Sequence, residues 1–187
     1  MRKRLVSVRM IPLLLLVGCG VRKDKPEDVF TSFREELAAA ASVSATVQLT
    51  ADFGGTVSDY TLEVASDGER TTVSITEPAL IAGITASVRD DGTEIAYDGV
   101  MLGVGDVDPE GTTPVSALPA ILRAMRAGYA ELYWIDGTFA AARYSTGQGG
   151  SACTVWLDPD ARSPVAAEIA SEGKTVINCR FTDWRME

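Results

Sequence analysis

A two-residue alternation of apolar and polar side chains, repeated in about ten short segments, constrains the fold of this chain most strongly. In the first segment, residues 43–53, every odd position is apolar and polar residues occupy the positions between. Successive side chains of a strand point to opposite faces, so each such segment predicts a strand with one buried face. Turn dipeptides separate many of the segments, among them Gly54-Gly55, Asp67-Gly68, Asp91-Gly92 and Asp136-Gly137. Neighbouring segments are therefore predicted to pair as antiparallel hairpins.

Two stretches have the three- and four-residue spacing of amphipathic helices instead. The first covers residues 26–41 and begins with Pro26, which suits a first helical turn. The second runs from Thr113 to Gly128, with Leu118, Ile121, Leu122 and Met125 on one stripe. Pro119 interrupts this second stretch, so we expect its regular helix only in the C-terminal part.

These elements predict an α+β fold built on one antiparallel sheet. About ten strands in meander order form a single curved, unclosed β-barrel, because a sheet of this size must curl or be covered. The two amphipathic helices are available to cover or plug its concave face. The chain has 187 residues, 46% of them hydrophobic, and no linker divides residues 26–187, so one core and one domain are expected.

The N-terminus has the outline of a secretory signal peptide, with a cationic start and a short uncharged run from Met10 to Gly18. The sequence Leu16-Val17-Gly18-Cys19 resembles the lipobox of bacterial lipoproteins. That resemblance implies cleavage after Gly18 and attachment of diacylglycerol and acyl groups to Cys19. We therefore expect a signal peptide at 1–18, a lipidated tether at 19–25 and a folded domain at 26–187. The alternatives are an ordinary secreted protein in which Cys19 is incidental, or a buried helix.

Charge limits the partners of the mature protein. Removing residues 1–18 takes four basic residues and no acidic one, which leaves 13 basic and 26 acidic residues. An acidic domain is repelled by anionic lipids, so we expect the lipid anchor to hold the protein at the extracytoplasmic face of a bacterial membrane. A nucleic-acid partner is not expected, because phosphate recognition needs a clustered basic face.

The chain contains no histidine, which excludes Ser/His/Asp and Cys/His catalysis. Carboxylate pairs such as Asp90-Asp91 lie at predicted turns, where turn formation explains them. The segment Asp106 to Gly111 begins like an EF-hand loop, but its twelfth position is Ala117 where a bidentate glutamate is needed. We expect no enzyme activity, no metal site and no cofactor other than the lipid on Cys19.

Cys153 and Cys179 are the remaining cysteines. Both fall at apolar positions of predicted strands, and the strand 165–171 is expected to lie between them. Their separation would then be about 9.5 Å, two strand spacings. A disulfide requires Cα atoms about 4.4–6.8 Å apart, so two buried thiols are expected.

Several segments resemble the LolA/LolB/LppX superfamily of bacterial envelope proteins. The matching pieces are the opening helix running into Val43 to Phe53, Glu77-Pro78 with Gly83 after it, the hairpin from Asp91 to Tyr97, the mid-chain helix, Pro164 to Ile169, and Phe181 to Trp184. The resemblance covers nearly all of the mature chain. It implies a strongly curved, unclosed barrel with helices in or over its mouth.

The superfamily also implies a range of functions. LolA-type carriers shield the acyl chains of lipoproteins, LppX-type members are associated with other lipids, and clostridial members resembling the germination lipoprotein GerS act through protein partners. This chain has a predicted anchor of its own, and its first two strands contain no arginine of the kind that latches the carrier's helices. Both differences argue against the ferrying of lipoproteins.

The predicted concave face and its helix stripe define a candidate hydrophobic cavity. Its members are Val47, Leu49, Tyr60, Leu62, Val64, Val73, Ile75, Ile84, Val88, Ile95, Tyr97, Trp134, Leu118, Leu122 and Met125. If the helices fill the concavity, this set is core; a ligand competes only where packing leaves a gap or the helices shift. We expect a membrane-anchored, non-enzymatic protein that binds a lipid, an acyl chain or another hydrophobic ligand here. The alternative is a protein–protein interaction module of the cell envelope with a filled core and no ligand.

Overall fold

The computed structural model describes residues 25–105, 108–146 and 150–187. The predicted signal peptide, Cys19 and most of the tether lie outside these ranges. The helices are α1 Pro26–Ala39 and α2 Pro114–Ala127. The strands are β1 Val43–Asp52, β2 Val57–Ser66, β3 Arg70–Glu77, β4 Thr85–Arg89, β5 Gly92–Tyr97, β6 Val100–Gly105, β7 Ala130–Asp136, β8 Phe139–Ser145, β9 Ala152–Asp158, β10 Ser163–Ser171 and β11 Lys174–Met186.

The described strands form one antiparallel sheet in the order β6-β5-β4-β3-β2-β1-β11-β10-β9-β8-β7. Apart from β6 and β7, strands that are consecutive in sequence pair with each other, and the first and last strands also pair. The break in the sheet falls between β6 and β7, the two strands that α2 connects. The predicted α+β fold, an unclosed antiparallel barrel with two helices, is confirmed.

Strand β6 is an addition to the predicted set and makes the count eleven rather than ten. It follows a two-residue turn in which Asp98 and Gly99 both have positive φ, 48° and 77°. This turn geometry matches the twist of a hairpin. The residues Val100, Met101 and Leu102 are apolar in succession, so they lack the alternation on which the other strands were predicted.

The register assigns each strand residue to one face of the sheet. Val47 lies opposite Leu62 on β2 and Phe181 on β11, and Leu62 lies opposite Ile75 on β3. We call the face that carries these side chains the concave face and the opposite one the convex face. The concave residues of β1 are buried, and Val47 and Leu49 are at most 1% exposed. The predicted alternation therefore identified the buried face of this strand correctly.

Helix α2 lies against the concave face and is buried on nearly every side. It packs on β3, β4 and β9, and its residues Ser116 to Leu122 are all buried. The helix begins with a capping box in which Thr113 and Ser116 bond reciprocally. It continues unbroken through Pro119, so the prediction of a helix confined to its C-terminal part was wrong. Burial against the sheet outweighs the single backbone hydrogen bond that a proline removes.

Helix α1 covers the concave face beside α2, and it packs against β7 and β8. Its buried residues are Phe30, Phe33 and Leu37, at the predicted spacing. The helix ends at Ala39, two residues before the predicted end, because Ala40 already has extended backbone that leads into β1. No helix among the described residues is both long enough and apolar enough to cross a membrane.

The two cysteines of the sheet are free and fully buried. Cys153 lies on β9 and Cys179 on β11, with β10 between them, so the prediction of two separate thiols is confirmed. Burial raises the pKa of Cys153 to about 12, and burial also raises the pKa of Cys179. Both thiols are therefore protonated and unreactive in the folded protein.

An alkylating reagent is expected to leave both thiols unmodified in the folded chain. After unfolding without reductant, it should add one label to each of Cys153 and Cys179, as read by intact mass. Reagents that modify only thiolates need the unfolded state here, because burial removes both access and ionisation. An unfolded chain that takes up no label at these positions would mean a disulfide, and thus a strand order different from this one.

A candidate ligand site on the concave face

Nine of the fifteen predicted cavity residues lie in one buried cluster, with exposed fractions of 6% or less. They are Val47, Leu49, Leu62, Val64, Val73, Ile75, Leu118, Leu122 and Met125. The first six come from β1, β2 and β3, and the last three come from the face of α2 that packs on the sheet. In this part of the molecule the helix fills the concavity, and the predicted cavity set is core.

Tyr60, Ile84, Val88 and Ile95 are only partly buried, and Tyr97 is 50% exposed. Val88 and Ile95 belong to β4 and β5, on the side of the sheet that ends at the open β6 edge. Burial of the concave face thus decreases from β1 towards β6.

Trp134 is on the convex face, so its prediction as a cavity residue was wrong. It lies opposite Ala141, which in turn lies opposite Trp156, and the two indole rings meet edge to face at a centroid distance of 6.4 Å. The cause is a β-bulge between Ala130 and Leu132, which inserts one residue and reverses the alternation. Tyr133 takes the concave position instead and contacts Phe30.

The concave face is uncovered at its β5–β6 end. Tyr97 lies opposite Val100, and Ile95 lies opposite Leu102, so Val100 and Leu102 share the concave face. Tyr97, Val100 and Leu102 are 50%, 59% and 61% exposed. We call these three residues the open apolar end. It continues the buried apolar surface without a break, because Ala86, which is buried, lies directly opposite Ile95.

A surface groove of about 640 Å³ lies elsewhere, beside β1, β2 and β3. Gln48, Thr50 and Asp59 contribute to it from the convex face, and Glu77 lies at its end. Thr50 donates a hydrogen bond to Asp59, and Thr61 donates one to Glu77. The groove is lined by both polar and apolar groups, and of the predicted cavity residues it includes only Leu49 and Tyr60.

Arginines of the helices fasten α2 in place. Arg34 of α1 donates hydrogen bonds to the carbonyl oxygens of Met125 and Gly128, at 3.4 and 2.8 Å. Arg126 of α2 donates one to the hydroxyl of Ser66 on β2, at 3.0 Å. A cation at a helix C-terminus satisfies carbonyls that lack helical partners.

Asp108 anchors the start of α2. Its carboxylate accepts hydrogen bonds from the backbone N–H and the hydroxyl of Thr112, at 2.6 and 2.7 Å, and from the N–H of Glu110. Partial burial raises the pKa of Asp108, but these hydrogen bonds outweigh it and hold the pKa below its usual value. Asp108 therefore has a structural role, because its carboxylate holds the turn that leads into α2. Asp106, the first position of the EF-hand-like pattern, lies outside the described residues.

The sequence interpretation missed Arg34, Arg126, Val100 and Leu102. A signal was available for Arg34, because it is a basic residue next to the apolar stripe of α1. No signal identified the partner carbonyls, since these belong to the end of another helix. Val100 and Leu102 were not predicted as cavity residues, because residues 100–105 have no alternation of apolar and polar side chains from which a shared face could be inferred.

No family model and no curated protein matches the sequence. Solved structures resemble the fold. A LolA superfamily protein from Nitrosomonas europaea is similar with a TM-score of 0.50 and 11% identity, over 88% of this chain and 94% of that one. A DUF1329 family protein from Desulfovibrio piger has a TM-score of 0.51 and 10% identity, over 88% and 94%. A conserved protein from Thermus thermophilus has a TM-score of 0.50 and 11% identity, over 86% of each chain.

The fold of this chain is thus similar to that of a LolA superfamily protein. At identities of 10–11% the likeness concerns the fold alone. The fold implied by the sequence resemblance is therefore confirmed. Function has to be argued from the surface that this chain itself presents.

Proposed function

We propose that this chain is a non-enzymatic, membrane-anchored protein of the bacterial cell envelope that binds a lipid or acyl chain at the open apolar end. The observation that carries the proposal is the exposure of Tyr97, Val100 and Leu102 on the same face as the buried core residues of β1, β2 and β3. Contiguous exposed apolar surface on a soluble domain commonly marks a binding site. A hydrocarbon chain laid there would extend the existing core by contact alone.

Binding at the open end avoids the cost of moving α2. Withdrawal of this helix would expose Leu118, Ile121, Leu122 and Met125, which are at most 3% exposed. At about 1.5–3 kcal/mol for each side chain, that exposure costs roughly 6–12 kcal/mol. Such a cost is comparable to the whole stability of a typical domain, about 5–15 kcal/mol. A ligand at the open end needs no such rearrangement and gains about 0.8 kcal/mol for each methylene it buries.

Substitution of Leu102 by aspartate is expected to weaken the binding of a fluorescent fatty acid by at least about tenfold, because it places a charge against hydrocarbon. Met101 offers a matched control. It is adjacent on β6 and 66% exposed, but it lies opposite Ala96 on the convex face. Met101→Asp should therefore leave the affinity within about twofold.

Titration of the purified chain with the fatty acid, followed by fluorescence, makes this comparison. Equal weakening by Leu102→Asp and Met101→Asp would place the ligand off the concave face. Failure of the unsubstituted chain to take up any apolar probe would overturn lipid binding. The second candidate function, an envelope interaction module with a filled core, would then remain, and the burial of the nine core members of the predicted cavity favours it.

The anchor is proposed on the lipobox-like sequence alone, since Cys19 lies outside the described residues. Replacing Cys19 with serine is expected to move the protein from the membrane fraction to the soluble fraction of a bacterial host. Thioether lipidation needs the thiol, and two or three acyl chains are enough for stable anchoring. Fractionation followed by immunoblotting measures the change. Retention of the Cys19→Ser variant in the membrane fraction would argue that another part of the protein holds it there.

A further inference from the structure

Strand β6 leaves one edge of the sheet open, and its composition does nothing to protect that edge. Among the described strands it is last in the sheet order, with β5 on one side only. Its sequence, Val-Met-Leu-Gly-Val-Gly, has no charge and no proline, and all six residues are exposed. Natural sheets usually protect an exposed edge with lysine, proline or a covering element, because free N–H and C=O groups pair readily with another strand.

The stretch of chain that contains this strand is acidic and has no basic residue. From residue 90 to residue 122 there are seven acidic residues and no lysine or arginine: Asp90, Asp91, Glu94, Asp98, Asp106, Asp108 and Glu110. Asp98 forms the turn at the start of β6, and Asp108 follows closely after its end. Glu94 lies opposite Gly103, which has no side chain to cover it. Arg89 on β4 is paired with this same Glu94, at 3.3 Å.

The acidic surroundings select among the possible occupants of the edge. A second copy pairing antiparallel about a two-fold axis would place its Asp98 turn beside the end of β6 that leads into Asp108. Like charges facing each other across strands are destabilising, so self-pairing is disfavoured. An anionic membrane surface is repelled for the same reason. An extended segment with basic residues at both ends would instead be attracted at both ends of the strand.

We propose that β6 is a docking edge for another protein, which adds an apolar strand flanked by lysine or arginine to this sheet. Backbone hydrogen bonds supply the pairing, and the acidic residues at the two ends of the strand supply the selectivity. The inference is independent of lipid binding, because it uses the backbone edge and the flanking charges rather than the side chains of the concave face.

Two synthetic peptides test the selectivity. They share a short core of alternating valine and threonine, and one carries two lysines at each end where the other carries two glutamates. Fluorescence anisotropy with the full-length chain in detergent should show the lysine peptide binding at least about tenfold more tightly. This preference should shrink as salt is raised. Equal binding of the two peptides, or self-association of the chain that excludes both, would overturn the proposal.

Two sets of variants test the edge itself. Counting from the Tyr97–Val100 pair that closes the turn, the N–H of Met101 faces away from β5, so Met101→Pro should block docking while keeping the hairpin. If this variant folds poorly, Glu94→Gln with Asp98→Asn keeps the edge and should remove most of the preference for lysine. Asp136→Asn, at the end of the other edge strand, is the matched control and should change nothing. Undiminished lysine-peptide binding to a folded Met101→Pro chain, or an effect of Asp136→Asn as large as that of the double variant, would refute docking at β6.

Discussion

Substitution of Gly111 by alanine is expected to destabilise the protein by about 2–5 kcal/mol, measured as the free energy of unfolding in denaturant. Gly111 has a φ of +80°, where a side chain adds strain of about 1–2 kcal/mol. A Cβ atom there would also lie 2.7 Å from the Cβ of Ala120 and 2.7 Å from Cδ1 of Ile169. Overpacking of this kind costs about 1–3 kcal/mol more.

Gly54 separates these two causes. Its φ is +79°, almost the same, but a Cβ atom there would meet nothing within 4 Å. Gly54→Ala should therefore cost only the backbone strain, about 1–2 kcal/mol. Equal losses in the two variants would mean that α2 and β10 relax around the added methyl group, and that the turn before α2 is less tightly packed than the distances indicate.

Truncation of Ile121 to alanine is expected to cost about 2–5 kcal/mol, because it leaves a cavity between α2 and the sheet. Ile121 is fully buried, and it lies on the same helix as Leu118 and Met125. The cavity would be lined by apolar groups, so it should also admit a small hydrophobic probe. Denaturant unfolding and probe fluorescence measure the two effects.

Arg123 is the control for this helix, since it is exposed and two residues away. Arg123→Ala should change the free energy of unfolding by no more than about 0.5 kcal/mol. An Ile121→Ala loss as small as this would mean that α2 is held loosely. The free energy needed to move the helix would then be small, and a ligand site beneath it would become an alternative to the open apolar end.

The alternation in β1 shows why much of the fold is predictable. Odd residues from Val43 to Ala51 are buried and the residues between them are not, because a strand alternates faces at every step. The spacing of Phe30, Phe33 and Leu37 predicted α1 for the equivalent reason. Trp134 shows the limit. A single bulge upstream reverses the faces of the remaining strand, and nothing in the residue pattern marks where the extra residue is inserted.

The candidate site was also only partly predictable from the sequence. The sequence identified the apolar face but did not indicate how far a helix would cover it, since Leu118 and Leu102 are equally apolar and end at 1% and 61% exposure. That difference depends on where α2 lies over the sheet, which the Asp108 turn and the contacts of Arg34 and Arg126 determine together. The contacts of Arg34 and Arg126 join α2 to residues of other elements, and only the Asp108 turn is local in sequence.

The amino-acid sequence by itself determined the elements, the buried face of most strands and the acidity of the chain around residue 100, because these depend on composition and local periodicity. The tertiary structure alone decided that the sheet breaks between β6 and β7, that α2 fills one part of the concave face and leaves another open, and that an uncharged strand forms one of the two edges. Sheet closure and helix coverage depend on the summed geometry of all eleven strands. Local periodicity carries no information about that geometry.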